Sequence, residues 1–163
     1  MIDTRNNPIV ISGPSGSGKS ELIEYIEKEY PTFLEATGIT TRAKSEFEKL
    51  KEYHLMFNVG YSSAKEIKKM YEDTTMIYLM PPTKEELLRR LGDRGEERYL
   101  LGIQETMNYA LKYDYLLLSL TNDMKTTTDD FMDIVNQKEE SKQKRLILAK
   151  NKDFITSFYK GRH

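Results

Sequence analysis

Eight consecutive residues, Gly13-Pro14-Ser15-Gly16-Ser17-Gly18-Lys19-Ser20, follow the spacing Gly, four residues, Gly-Lys-Ser. This is the Walker A or P-loop pattern, which arises by chance in about one chain in two hundred of this length. Its chemistry is phosphate binding. Glycines let the backbone wrap closely, so that successive amide N–H groups and a helix N-terminus face phosphate oxygens. In that role Lys19 reaches the β- and γ-phosphates, and the Ser20 hydroxyl joins a magnesium shell. The expected ligand is therefore a nucleotide polyphosphate with Mg2+. Little other catalytic chemistry is open to the chain. It has no cysteine, which excludes thiolate metal sites and cysteine nucleophiles, and its only histidines are His54 and His163, which argues against a multi-histidine metal centre.

The elements that must position this loop are legible on both sides of it. Pro8 to Ser12 is a short apolar run rich in β-branched residues, as in a buried parallel strand. From Lys19 the period changes: Leu22, Ile23, Ile26 and Tyr30 recur at helical spacing until Pro31. Further strands are predicted at Phe33–Ile39, Tyr53–Val59, Met76–Met80 and Tyr115–Leu120. Helices are predicted from Ser63 to about Tyr71 and from Thr83 to Leu91, each opened by a capping box. Two more run from Arg98 to Leu111 and from Thr127 to Gln137, with Gly92 to Gly95 as a mobile joint. Such alternation predicts an α/β fold, a three-layer α/β/α P-loop NTPase arrangement around a roughly five-stranded parallel sheet.

The 163 residues suit one domain, here 1–137, followed by a distinct tail at 138–163. Charged residues make up 31 % with a net charge of −1, which argues against a nucleic-acid binder driven by bulk charge. The tail nevertheless holds eight Lys or Arg against three Asp or Glu. Leu148, Ile155, Phe158 and Tyr159 give it the pattern of an amphipathic helix packed on the same domain, or alternatively of a partner-binding arm. A polar N-terminus and the lack of an apolar run of about 20 residues read as a cytoplasmic protein with no membrane span.

Four blocks of the sequence resemble the guanylate kinase family of P-loop nucleoside-monophosphate kinases. They are Ile9–Ser20, Thr40-Thr41-Arg42, Ala64–Pro82, and Glu86–Gly95 with Tyr113-Asp114-Tyr115 and Asn122-Asp123 after it. The resemblance implies transfer of the ATP γ-phosphate to a nucleoside monophosphate or another small phosphate acceptor. It also implies that Arg90 and Arg94 are lid arginines contacting the donor phosphates, that Arg42 serves the reaction, and that Asn122 lies at the nucleotide. A planar, permanently charged guanidinium suits charge spread over transferring oxygens.

On the acceptor side the sequence departs from the family. A separate lobe there grips the guanine and its phosphate, whereas only Ala43 to Glu52 stands in that place here. Ser45 replaces a phosphate-gripping arginine, Gly38 a guanine-contacting serine, and Asn58-Val59-Gly60 the family's Glu-x-Asp. A phosphate acceptor is already a nucleophile and needs positioning more than a base. A hydroxyl acceptor would need one, and Glu35 and Asp123 are the candidates, each also readable as a loop or cap residue. The alternative to a kinase is a catalytically degenerate module of the same fold, binding nucleotide or a protein partner through the vacated acceptor groove or the C-terminal helix.

Overall fold

Strand and helix alternate along the computed structural model, which describes residues 7–36 and 52–136, without the side chain of Arg94. The strands are β1 (Ile9–Ser12), β2 (Phe33–Glu35), β3 (His54–Asn58), β4 (Thr75–Met80) and β5 (Tyr115–Leu118). The helices are α1 (Lys19–Glu29), α2 (Tyr61–Met70), α3 (Lys84–Leu91), α4 (Gly95–Tyr109) and α5 (Met124–Asn136), with 3-10 turns at Gly92–Arg94 and Ala110–Lys112. All strand pairs are parallel, in the order β2-β3-β1-β4-β5.

Alternate residues of each strand feed opposite faces of the sheet. Ile9, Ile11, Met56, Ile77, Leu79 and Leu117 pack with Leu22, Ile23 and Ile26 of α1 and Phe131, Ile134 and Val135 of α5. Val10, Leu55, Phe57, Met76, Tyr78 and Met80 pack with Ala64 and Ile67 of α2, Leu87 and Leu91 of α3 and Tyr99 of α4. The central strands are buried on both sides, which is why they read as continuous apolar runs rather than alternating ones. The expected α/β/α layering around five parallel strands is what forms.

The topology also locates the crevice. β1 leads through α1 to one face of the sheet, whereas its neighbour β3 leads through α2 to the other. Outside the carboxyl ends of β1 and β3 the two connections part, as they do at the ligand crevices of open parallel sheets.

Several boundaries differ from the sequence expectations for local reasons. The Ser63 capping box does not open α2. Gly60 sits extended at φ −81°, ψ 179°, its carbonyl accepts from the Ala64 N–H at 2.9 Å, and the helix starts at Tyr61 with no side-chain cap. The interval after α3 is a 3-10 turn running straight into α4 at Gly95, three residues before Arg98. α5 begins at Met124 because the Asp123 carboxylate accepts from the Thr126 N–H at 3.1 Å. β5 ends at Leu118 and β2 at Glu35. Ala36 is no longer in the strand, and residues 37–39 of the expected β2, the segment from Ala43 up to residue 51, Arg42 and the tail at 138–163 lie outside the described residues.

The Thr83 capping box forms in part. The Thr83 hydroxyl accepts from the Glu86 N–H at 3.1 Å, but the Glu86 carboxylate turns to Arg89 and Arg90 instead of back to Thr83. Thr83→Ala is expected to cost about 1 kcal/mol of stability and to lower Tm by about 2–4 °C in thermal unfolding.

Candidate functional site

The phosphate loop leaves β1 at Ser12 and returns into α1 at Lys19, so its ends are held by the middle of the sheet and by a helix buried through Leu22, Ile23 and Ile26. Two glycines allow its path. A Cβ on Gly13 would stand 2.2 Å from the Leu79 carbonyl oxygen, so the loop passes against β4 closer than any side chain permits. Gly18 lies at φ +93° and caps α1 without a side chain, leaving the first-turn N–H groups of the helix directed outward.

Lys19, Ser20, Ser15, Gly16 and Gly18 line one side of a cavity of about 560 Å³. Arg89 and Arg90 of α3 and Ser119 to Asn122, after β5, line the other. Gly13, Pro14 and Ser17 form the floor of the loop rather than the cavity wall, all three being buried. The Ser17 hydroxyl has no hydrogen-bond partner there. Asn122 holds the left-handed conformation at φ 55°, which asparagine tolerates better than most residues.

The Lys19 ammonium folds over its own loop, donating to the Gly13 carbonyl at 2.5 Å and the Pro14 carbonyl at 3.2 Å. Burial holds its pKa below the ordinary 10.5, against the carboxylates of Glu105 and Glu21, which pull it back up. The native state therefore binds this proton less tightly than the unfolded chain does. Between the lowered native value and 10.5 the unfolded state carries the extra proton, so this group's contribution to stability rises with pH across that window. Chemical denaturation of wild type and Lys19→Met at alkaline pH checks this: the wild type gains stability relative to the variant as pH climbs toward 10.5.

Arg90 is placed differently from a free lid arginine. Its Nε donates to Glu86 at 2.9 Å and its Nη1 to the Gly16 and Ser17 carbonyls, both at 3.3 Å, and to the Ser119 hydroxyl at 3.2 Å. Its Nη2 donates to the Ser119 carbonyl at 2.9 Å and the Thr121 hydroxyl at 3.3 Å. One guanidinium thus ties α3, the phosphate loop and the turn after β5 together, using the fork that a lysine lacks. Arg89 makes a two-pronged pair with Glu86 at 2.6 and 2.7 Å. Hydrogen bonds from Arg89, then from Thr121 and Arg90, hold the Glu86 carboxyl well below the usual carboxylate range. Arg94 follows α3 in the 3-10 turn.

Neither base candidate lines this cavity. Glu35 ends edge strand β2, where burial and then Glu27 raise its pKa. Asp123 caps α5.

A carboxylate not anticipated from the sequence acts on Lys19 from outside this cavity. Glu105 on α4 accepts from the Tyr78 hydroxyl at 3.0 Å, and its charge is felt at Lys19. Tyr78 also meets Thr106, and Tyr113 donates to the Ser12 hydroxyl at 2.7 Å. Burial, opposed by the Ser12 hydrogen bond, pushes Tyr113 up to about 12. No local motif marks Glu105, because its partners are 27 residues away or more.

The residues fit a nucleotide polyphosphate. The cradle is one that side chains at Gly13 and Gly18 would fill, and the Lys19 ammonium pairs with no carboxylate among the described residues. For magnesium the loop offers the exposed Ser20 hydroxyl, and the described residues hold no cluster of three metal-ligating side chains.

No family model matches the chain. Curated relatives do. Guanylate kinase of Aromatoleum aromaticum is 23 % identical over 177 residues, covering 78 % of this chain and 86 % of the relative. Guanylate kinase of Pseudoalteromonas translucida is 25 % identical, with 83 % and 89 % covered. That of Clostridioides difficile is 23 % identical over 198 residues, with 89 % and 95 % covered. The chain is guanylate kinase-like.

The alignments of 177 and 198 residues are longer than the 163 residues of this guanylate kinase-like chain, so the relatives carry aligned positions that it lacks. An uncharacterized protein from Eubacterium ventriosum shares the fold, with a TM-score of 0.53, 13 % identity, and 81 % of this chain and 99 % of that one covered. Among the described residues no helix of the guanylate kinase-like chain is long and apolar enough to cross a membrane.

Proposed function

We propose that this chain is a nucleotide kinase-like phosphotransferase that takes the γ-phosphate of ATP and delivers it to a nucleoside monophosphate or another small acceptor. The observation that carries this reading is that Lys19 and Ser20 at the end of the phosphate loop, Arg90 of α3 and Asn122 after β5 line one and the same cavity. Similarity to guanylate kinases along most of the chain supports it. When bound, ATP with magnesium supplies the transferable phosphoryl group and neutralises part of its charge.

The chain's own residues do the rest. The amides of the loop and of the first turn of α1 receive the phosphate oxygens. Lys19 exchanges its two loop carbonyls for phosphate, and Ser20 offers its hydroxyl to the metal. Arg90 keeps the loop and the turn after β5 in register, and with Arg89 lends the wall of the cavity its positive charge. Arg42 and Arg94 are further cations for the transferring group. Asn122 lines the far wall, where the nucleoside lies. Activity in the cytoplasm agrees with this choice of donor.

The donor half is tested by thermal unfolding with ATP and magnesium. At about a hundredfold the dissociation constant, binding stabilises by about 2.7 kcal/mol, an upward shift of about 5–10 °C for a chain of this size. No shift overturns the reading. The catalytic half is tested by following ADP with each of AMP, GMP, CMP and UMP as acceptor. Tight ATP binding without ADP formation from these or any other acceptor favours the second reading, a non-enzymatic module.

A further inference from the structure

A second cavity of about 520 Å³ opens between the start of α2 and the later half of α4, lined by Gly60, Tyr61, Ser62, Ser63, Lys65, Glu105, Tyr109 and Lys112. It is polarised along α4. That helix crosses the phosphate loop at Gly102, where an added Cβ would stand 3.0 Å from the Pro14 Cβ. Glu105 is one turn farther, about 4.5 Å along the axis at 1.5 Å per residue, and Tyr109 about 10 Å. Lys112 lies beyond, in the 3-10 turn that follows.

The inner end, toward the crossing of α4 and the phosphate loop at Gly102 and Pro14, therefore carries the carboxylate. The outer end carries the cations. Tyr61 and Tyr109 stack at 4.6 Å and 16° and form an aromatic floor. The Lys112 ammonium stands 5.3 Å from the Tyr61 ring and 5.9 Å from that of Tyr109, and the Lys65 ammonium 5.6 Å from Tyr61. Among the described residues neither lysine pairs with a carboxylate, and both are exposed. The uncapped start of α2, with no acidic residue in its first turn, adds its partial positive charge nearby.

We infer that this cavity holds the phosphoryl acceptor, an alcohol carrying an anionic group, with the anion between Lys65 and Lys112 and the hydroxyl on Glu105. The inference rests on the ATP-dependent phosphotransfer proposed above. Charge decides the orientation. An anion at the inner end would meet the Glu105 carboxylate, whereas a hydroxyl there donates to it, and the outer lysines want the anion. Glu105 also fills a chemical gap, because Asn58-Val59-Gly60 places no carboxylate at the end of β3. In the transfer a bond forms from the acceptor oxygen to the γ-phosphorus and the bond from that phosphorus to the β,γ-bridging oxygen breaks. The electron pair leaves on ADP and the hydroxyl proton passes to Glu105. Tyr78, donating at 3.0 Å, holds the carboxylate in place.

The test uses the full chain with ribose 5-phosphate, a hydroxyl-rich phosphomonoester, and methyl phosphate, which has the anion and no hydroxyl. Both are expected to bind, and Lys65→Met/Lys112→Met weakens both by about tenfold or more while ATP affinity is unchanged. Phosphorus NMR of the reaction with ATP shows a new phosphomonoester signal from ribose 5-phosphate and no product from methyl phosphate. Glu105→Gln, which can still accept from Tyr78, lowers kcat about a hundredfold with little change in KM. Failure of ribose 5-phosphate to bind, or equal binding by the double variant, overturns the site whatever ATP does. Binding without transfer, a new phosphoanhydride, or an unaltered kcat in Glu105→Gln overturns the acceptor chemistry. Loss of ATP binding in the wild type would instead overturn the underlying phosphotransfer reading.

Discussion

Lys19→Met is expected to lower ATP-dependent turnover by about 10²–10³-fold, the usual cost of losing a preorganised charged donor at a transferring group. The side chain is nearly isosteric and loses only the ammonium. In the wild type that ammonium is held by the carbonyls of Gly13 and Pro14 and by no carboxylate among the described residues, so bound phosphate replaces weak partners with a strong one. Fold stability should not fall in parallel, because burial already disfavours the charge and lowers the Lys19 pKa. Kinetics and thermal unfolding on the same samples separate the two effects. A variant that loses turnover only in proportion to its loss of folded protein would remove Lys19 from the chemistry.

Gly13→Ala has the opposite signature. The added Cβ would stand 2.2 Å from the Leu79 carbonyl oxygen and 2.9 Å from the Ser17 hydroxyl, at a φ of +156°. A serine hydroxyl can rotate away, but the Leu79 carbonyl belongs to β4, whose ladders to β1 and β5 fix it in the middle of the sheet. Relief requires β1 and β4 to separate at the point where the loop leaves the sheet. We expect a loss of about 3 kcal/mol or more, since overpacking and backbone strain act together. For a chain of this length that lowers Tm by about 6–12 °C. Because the lesion tilts the whole loop, ATP affinity falls too, and turnover declines with it. Differential scanning calorimetry with and without ATP reads both. An unaltered Tm would mean that the loop can leave β4 at little cost.

These two residues also mark how far sequence reasoning reaches. Gly13 to Ser20 is legible because everything that defines the loop is contiguous: a β-branched run, glycines at set intervals, then helical periodicity. The alternation of strands and helices is legible for the same reason, since periods of 2 and 3.6 residues are local properties. Boundaries were less so. α2 starts at Tyr61 rather than Ser63 because an extended Gly60 offers its carbonyl one turn earlier, a backbone choice that side-chain patterns do not announce. α5 begins at Met124 because Asp123 acts as its cap, which also took that carboxylate out of the candidate bases.

Arg90 shows what adjacency in space adds. Its place in Glu86–Gly95 marks it as a cation for phosphate, yet its partners are Gly16 and Ser17, more than 70 residues before it, and Ser119 and Thr121, about 30 after. Glu105 carried no signal at all. Its meaning comes from Tyr78 one strand away and from a helix that crosses Pro14 through Gly102.

By itself, then, the sequence determined the fold class and the phosphate loop, because short contiguous stretches set backbone conformation and amide direction. The parallel order β2-β3-β1-β4-β5 decided the remainder. Only that packing brings the charge of Glu105 to bear on Lys19 and opens a second, polarised cavity between helices far apart in the chain, for charge and hydrogen bonding act through space and leave no period in the sequence.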